Sequence, residues 1–229
     1  MLIRYCIVVA GGSGSRMKSD IPKQFLEIGK KPVLLLTLEH IRAYDPDVRI
    51  ILVLPDDQKD RWEKIKGNIH FSHPIQTVSG GLTRFQSVKN GLQLVPENCL
   101  VAIHDAVRPF ASPSLFARCF EEAEKFGNAI PTWQVFESLR RISNNSSTQV
   151  DRSEYLLVQT PQCFQSSLLK KAFLQTEDPS FTDDASVLEK SGETIHLTTG
   201  EKWNIKITHP EDMLIAPGLL SLDTTRVTK

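Results

Sequence analysis

The chain has 229 residues, 40% of them hydrophobic and 24% charged, the make-up of an ordinary folded globular protein. Lys plus Arg and Asp plus Glu both number 27, which argues against the broad basic footprint of a nucleic-acid binder and requires any anionic ligand to be met by locally placed cations. No uninterrupted apolar run approaches a membrane span, the opening residues lack the pattern of a secretory signal, and Cys6, Cys99, Cys119 and Cys163 are scattered without a CxxC pair, so a cytoplasmic setting with reduced thiols is expected.

In chain order, the apolar, β-branched run Tyr5–Ala10 predicts a buried strand. It empties into a bend carrying Gly11, Gly12 and Gly14, and the bend is followed by two cations, Arg16 and Lys23. Glycines let a backbone approach a ligand closely, and their N–H groups form a concavity that suits anions. The loop is neither a P-loop, which ends in Gly-Lys-Ser/Thr, nor a dinucleotide fingerprint, since Met17 stands where a third glycine or alanine belongs. A tight strand-to-helix turn would explain the glycines alone; the pairing with Arg16 and Lys23 favours a phosphate site.

Pro32 then opens a helical pattern through Leu35, Leu38 and Ile41, and strands are expected at Ile50–Leu54 and Ile75–Val78. Gly80-Gly81 makes a turn before a helix at Thr83–Leu94 that carries Phe85, Val88 and Leu92 on one face; backbone amides and Ser87 could read a base edge here, although such turns are common. The strand Leu100–His104 delivers Asp105, with Arg108 three residues on. Asp105 could hold a hydrated Mg²⁺ or accept a ribose hydroxyl, or it could cap the turn and pair with Arg108. Ser112-Pro113 predicts an N-cap and first turn of a helix running through Phe126, ahead of a strand at Ala129–Thr132.

The segment Val135–Val158 breaks the alternation. Asn144-Asn145-Ser146-Ser147 is a turn cluster between extended flanks that carry Arg140, Arg141, Asp151, Arg152 and Glu154, which predicts a projecting hairpin. A lone two-stranded hairpin is marginally stable, so a second subunit is its natural support. Thr182 is placed to cap a short helix ended by Gly192, and the same helix start could meet a substrate anion. Lys206 interrupts an expected strand, Asn204–Ile207, and by alternation would point to a solvated outer face unless that face overlooks the cleft. His40, His70, His73, His104, His196 and His209 show no metal-binding spacing and read as surface or satisfied buried histidines. Residues 221–229 are polar and aperiodic, and read as a frayed tail. Alternating strands and helices indicate an α/β fold, a mainly parallel sheet with helices on both faces, in a single domain spanning residues 1–220 with 135–158 as an arm. Ligands of such sheets bind outside the carboxyl ends of the strands.

The order Ala10–Met17 with Pro22-Lys23-Gln24, Gly80-Gly81 with Thr83-Arg84 and Ser87-Val88, His104–Pro109, Gln159–Phe164, Thr182–Glu189 and Asn204–Met213 resembles the 2-C-methyl-D-erythritol 4-phosphate cytidylyltransferases of isoprenoid precursor synthesis, from about Ile3 to about Leu220. The resemblance implies a Rossmann-like three-layer sandwich with a mixed sheet, and a homodimer formed through the arm. It implies transfer of a cytidylyl group from CTP to 2-C-methyl-D-erythritol 4-phosphate, with Mg²⁺ or another divalent cation. Arg16 and Lys23 match cations that stabilise charge on the α-phosphate. Ala10, Gly11, Gly12, Gly14, Gly81 and Ser87 match positions that hold CTP, and Asp105 matches the carboxylate at the nucleotide and metal site. Arg152 matches an arm arginine that reaches across the dimer, Thr182 and Lys206 match residues that grip the sugar phosphate, and Arg108 and Ser138 fall on the substrate side. The chain departs from the family pattern at Glu137-Ser138, where an Asp-Thr pair is usual, at Leu82, a commonly polar position, and at Val107, commonly alanine.

Three rival readings remain at this stage. A dehydrogenase on a dinucleotide fold is opposed by the missing third glycine, and a CTP-sensing module without turnover by the retention of both Arg16 and Lys23. A ribitol-5-phosphate cytidylyltransferase shares the chemistry, and the Thr182–Glu189 stretch favours the erythritol enzyme over it.

Overall fold

The computed structural model describes residues 2–11, 21–67 and 72–226. In chain order the elements are β1 (Arg4–Val9), β2 (Glu27–Ile28), β3 (Lys31–Pro32), α1 (Val33–Tyr44), β4 (Arg49–Leu54), α2 (Lys59–Lys66), β5 (Gln76–Ser79), α3 (Arg84–Leu92), β6 (Leu100–Asp105), α4 (Pro113–Phe126), β7 (Asn128–Gln134), β8 (Arg140–Ser143), β9 (Ser146–Gln149), β10 (Leu156–Val158), β11 (Gln162–Gln165), α5 (Ser166–Ala172), α6 (Asp184–Lys190), β12 (Leu197–Thr199) and α7 (Pro210–Arg226). The main sheet has the order β10-β7-β11-β6-β1-β4-β5, with β12 also on β7. Strands β6, β1, β4 and β5 are parallel, whereas β11 runs antiparallel between β6 and β7.

The side-chain alternation of a strand sorts the core into two halves. Cys6 and Val8 of β1 face α1, α2 and α4, packing with Leu34, Leu38, Trp62, Phe116 and Phe120. Tyr5 and Ile7 face α3, α5 and α6, packing with Val88, Leu92, Leu169 and Leu188. This gives the expected three-layer α/β sandwich with a mainly parallel mixed sheet. A smaller cluster joins α7 to α1 through Ala216, Leu219, Val33 and Leu36.

Local chemistry accounts for the boundaries. Ser112 accepts the Leu115 N–H and Pro113 starts α4; Gly127, in the left-handed region at φ 89°, ends it. Thr83 caps α3 through the Gln86 N–H. The β8–β9 hairpin turns at Asn144 and Asn145, both at positive φ, the conformation that a two-residue hairpin turn requires.

Three expectations are corrected. Residues Asn204–Ile207 form no strand: the Asn204 carbonyl accepts from Arg108 Nη1, and the Asn204 amide donates to the Thr160 carbonyl, so side chains take the place of a ladder. The cap of α6 is Asp183 rather than Thr182, because Asp183 and Ser186 satisfy each other's backbone N–H groups. Residues 221–226, read as part of an aperiodic tail, continue α7 through Arg226. Strands β2, β3, β11 and β12 were not anticipated, and β10, within the extended flank of the expected arm, joins the main sheet on β7.

Candidate active site

The carboxyl ends of β1, β4 and β6 lie side by side, and the segments that leave them build a cavity of about 200 Å³. Its wall includes Ala10 and Gly11 after β1, Lys23, Gly81 and Ser87 around the start of α3, Asp105 at the end of β6, and Lys206. Seven of the residues anticipated from sequence thus share one cavity. Gly12, Gly14 and Arg16 lie outside the described residues. A second cavity of about 220 Å³ shares Asp105, Lys206 and Arg84 with the first and adds Arg108 and Thr182.

Asp105 is the hinge between the two cavities. Its Oδ2 lies 3.1 Å from Arg108 Nε and 3.1 Å from Lys206 Nζ. Burial alone would raise its pKa; Lys206, Arg108 and Arg84 outweigh burial and hold it below the usual carboxylate range. Lys206 therefore faces the cleft rather than a solvated outer face. Asp105 and Arg108 do pair, so the turn reading of the two residues and the site reading hold together.

Behind Asp105 a buried polar chain fixes the loop. The Asp105 N–H donates to Thr160 Oγ1 at 3.1 Å, and Thr160 Oγ1 lies 2.9 Å from His104 Nδ1. His104 Nε2 lies 3.3 Å from the Arg108 carbonyl, which can only accept; the ring proton therefore sits on Nε2, and Nδ1 accepts from the Thr160 hydroxyl. Burial pushes the His104 pKa down to about 3, so this satisfied buried histidine stays neutral.

The Gly80–Leu82 loop is arranged from within. The N–H of Gly80 donates to the Leu54 carbonyl, that of Gly81 to Ser87 Oγ, and that of Leu82 to Gln86 Oε1. Ser87 in turn donates to the Thr83 carbonyl at 2.8 Å. Within the chain these three amides are paired, and the loop keeps its shape through them. A Cβ on Gly81 would meet Gln86 Cβ at 2.3 Å, so the turn demands glycine. The Ala10 N–H is likewise held by the Val53 carbonyl. At α6 the N–H groups of Ala185 and Ser186 go to Gln162 and Asp183, which leaves the Thr182 side chain, rather than those amides, on the second cavity.

Sequence reasoning left Arg84 without a role. Its guanidinium makes a two-pronged contact with the fully buried Asp184, at 2.9 and 2.5 Å, and lines both cavities. Its place beside Thr83 and Ser87 was the available signal; its partner, distant along the chain, gave none. Arg152 and Ser138 are not brought to the Asp105 site within the chain. They line a separate cavity at the base of the hairpin, where Arg152 Nη1 donates to the Phe136 carbonyl.

Asp105 suits a divalent cation as a single ionised carboxylate, and among the described residues no group of three or more His, Cys, Asp or Glu could cage one. That donor set fits Mg²⁺, which takes one or two carboxylates and completes its shell with water and substrate phosphates.

Comparison with known proteins bears on this site as a whole. The family model described as 2-C-methyl-D-erythritol 4-phosphate cytidylyltransferase matches residues 5–221. A protein of that name from Bacteroides thetaiotaomicron is 51% identical over 93% of this chain and 98% of its own length. The crystal structure of 4-diphosphocytidyl-2C-methyl-D-erythritol synthase from Anaerococcus prevotii superposes with a TM-score of 0.82 at 29% identity, covering 96% of this chain and 99% of that one. The 2-C-methyl-D-erythritol 4-phosphate cytidylyltransferase of Thermus thermophilus gives a TM-score of 0.75 at 30% identity, covering 96% and 100%. With its family model spanning nearly the whole chain and its motifs converging on one sheet edge, this protein belongs to the 2-C-methyl-D-erythritol 4-phosphate cytidylyltransferase family.

Proposed function

We propose that the two joined cavities are where CTP and 2-C-methyl-D-erythritol 4-phosphate react, with the nucleotide in the Gly11–Gly81 cavity and the sugar phosphate in the Arg108–Thr182 cavity. The observation that carries this reading is that Lys23, Asp105 and Lys206 share one wall, with Lys206 and Asp105 on both cavities. The phosphate monoester attacks the α-phosphorus of CTP in line, forming CDP-methylerythritol as pyrophosphate leaves. A phosphate monoester has a second pKa near ~6, so at neutral pH its oxygen needs no general base. The obstacle is repulsion between two anions. Lys23, with Arg16, stabilises charge that develops on the α-phosphate. Lys206, Arg108 and Thr182 hold the sugar phosphate so that its oxygen points at phosphorus. Mg²⁺, when bound at Asp105, supplies charge neutralisation between the phosphates. Asp105 meanwhile keeps Lys206 and Arg108 at the junction.

The arm completes the site from a second subunit in this reading. Support comes from its apolar exposure: Ile142 is 81% and Phe136 56% exposed, and Leu156, Leu157 and Val158 of β10 are half-exposed. Those residues are a surface for a second copy, and Arg152 and Ser138 then face the partner's sugar phosphate. No helix among the described residues is long and apolar enough to cross a membrane. Four buried free cysteines suit the cytoplasm.

The deciding experiment measures pyrophosphate release with CTP and either 2-C-methyl-D-erythritol 4-phosphate or ribitol 5-phosphate. The first substrate is expected to turn over at least ~10²-fold more efficiently, the discrimination available to a site built around a particular set of hydroxyls. A preference for ribitol phosphate overturns the assignment.

A further inference from the structure

Gln24 follows the proposed transition-state cation Lys23 directly, and nothing in the reaction outlined above uses it. It is 1% exposed, so a side chain with two donors and an acceptor is fully inside the protein. Its Nε2 donates to the Ala10 carbonyl at 2.8 Å and to Gln58 Oε1 at 2.5 Å. Both amide protons are therefore used, one on the residue that follows β1 and one on the turn that follows β4. Ala10 is held from its other side by the Val53 carbonyl. Lys23, Gln24 and Phe25 form one short 3-10 turn, closed by the Phe25 N–H on the Pro22 carbonyl and the Leu26 N–H on the Lys23 carbonyl. The chain leaving at Ala10 and the chain returning at Lys23 are thus joined by the Gln24 side chain, and both line the cavity proposed for the nucleotide.

We infer that Gln24 is a positioning residue for the reaction: by clamping the returning turn to Ala10 and Gln58, it fixes the Lys23 backbone so that the ammonium stands at the α-phosphate when the transition state forms. The inference rests on the reading of Lys23 given above. An apolar side chain of the same size would fill the space and leave the Ala10 carbonyl and Gln58 Oε1 buried without their donor. A turn free to shift by an ångström carries its lysine with it, and misplacement on that scale is costly in turnover.

The test is a double-mutant cycle on kcat at saturating CTP, sugar phosphate and Mg²⁺, using Gln24→Met, Lys23→Ala and the double variant, each checked for cooperative thermal unfolding. Gln24→Met is expected to lower kcat ~10-fold in the otherwise native enzyme and to change it less than ~2-fold in the Lys23→Ala background, because the clamp acts through that lysine. If Gln24→Met fails to fold, Gln58→Met removes one of the two acceptors and is expected to show a smaller loss with the same silence in the Lys23→Ala background. Losses that multiply, or a folded Gln24→Met with undiminished kcat, overturn the clamp while leaving Lys23 in its role. Near-native turnover in Lys23→Ala overturns the role of Lys23 and the clamp with it.

Discussion

Lys206 Nζ and Arg108 Nε meet on the same oxygen of Asp105, Oδ2, each at 3.1 Å. One carboxylate thus organises two cations that belong to different chain segments and that line the cavity proposed for the sugar phosphate. Asp105→Asn keeps the shape and removes the charge. It is expected to lower kcat/KM by at least ~10², the scale of losing a charge contact in a water-poor site, and to shift the Mg²⁺ dependence of the rate to higher concentration. Steady-state rates across a Mg²⁺ series read both effects.

Lys23 is buried at 8% exposure on the wall of the cavity proposed for the nucleotide. Lys23→Ala is expected to lower kcat by about 10²–10³, with a smaller change in the KM for CTP, since its contact strengthens as charge develops on the α-phosphate. Single-turnover pyrophosphate release separates this from slow product departure.

Arg152→Ala removes a cation that lies away from Asp105 in its own chain. It is expected to raise the KM for the sugar phosphate ~10-fold or more while leaving CTP binding unchanged by calorimetry. Sedimentation should find a dimer. A fully active monomer would remove the basis for placing Arg152 opposite a partner's site.

Gly81→Ala places a methyl carbon where Gln86 Cβ already stands. Either the turn opens or α3 shifts, and the Gly81–Ser87 and Leu82–Gln86 bonds go with it. The KM for CTP is expected to rise ~10-fold or more while the sugar-phosphate KM holds. Ser87→Ala, which removes only the hydroxyl between Gly81 and Thr83, is expected to show the same pattern more weakly.

The neutral, buried His104 sets a pH dependence of stability. Its pKa is about 3 in the folded protein and near ~6.5 in an unfolded chain, so between these values the unfolded state binds the extra proton. Stability attributable to this site is full above pH ~6.5 and declines as pH falls towards ~3, at a limiting slope of ~1.4 kcal/mol per pH unit. Asp105, whose folded pKa is lowered, adds a further loss as pH drops below the unfolded carboxylate value of ~3.9. Urea unfolding at several pH values, for the native chain and for His104→Gln, should show the histidine's share of the slope vanish in the variant.

The sequence announced those parts of the molecule whose cause is local. The β1 run, the Ser112-Pro113 start of α4 and the paired asparagines of the hairpin each depend on neighbours within a few residues, and the structure has them where expected. Asp105, Gly81 and Ser87 were legible because the last residue of β6, the turn before α3 and the first turn of α3 lie where an α/β sheet offers ligands, and Lys23 because it follows the glycine bend after β1. What escaped depends on contacts between distant segments. Lys206 looked like a residue of an exposed strand, and only Asp105 turns it inward. Strand β11 is short and preceded by a proline, and pairing with β6 and β7 is what makes it a strand. Asp183 displaced Thr182 as a cap because Ser186 answers it in kind, a choice that spacing alone does not decide between adjacent residues. Arg84 and Gln24 had no visible purpose until Asp184, Ala10 and Gln58 were seen against them.

The hairpin excursion leaves β7 at Gln134 and comes back on β10 with Leu156 directly opposite that same residue. Its two ends are thus stitched together at one point of the framework, and the sheet registers nothing of what happens in between. Length and tip sequence of the excursion between β8 and β9 can therefore change without altering the pairing of β7 with its neighbours. Under the proposed function, selectivity for the sugar and affinity between copies fall on this one module, while the residues proposed for the nucleotide belong to the sheet and its edge.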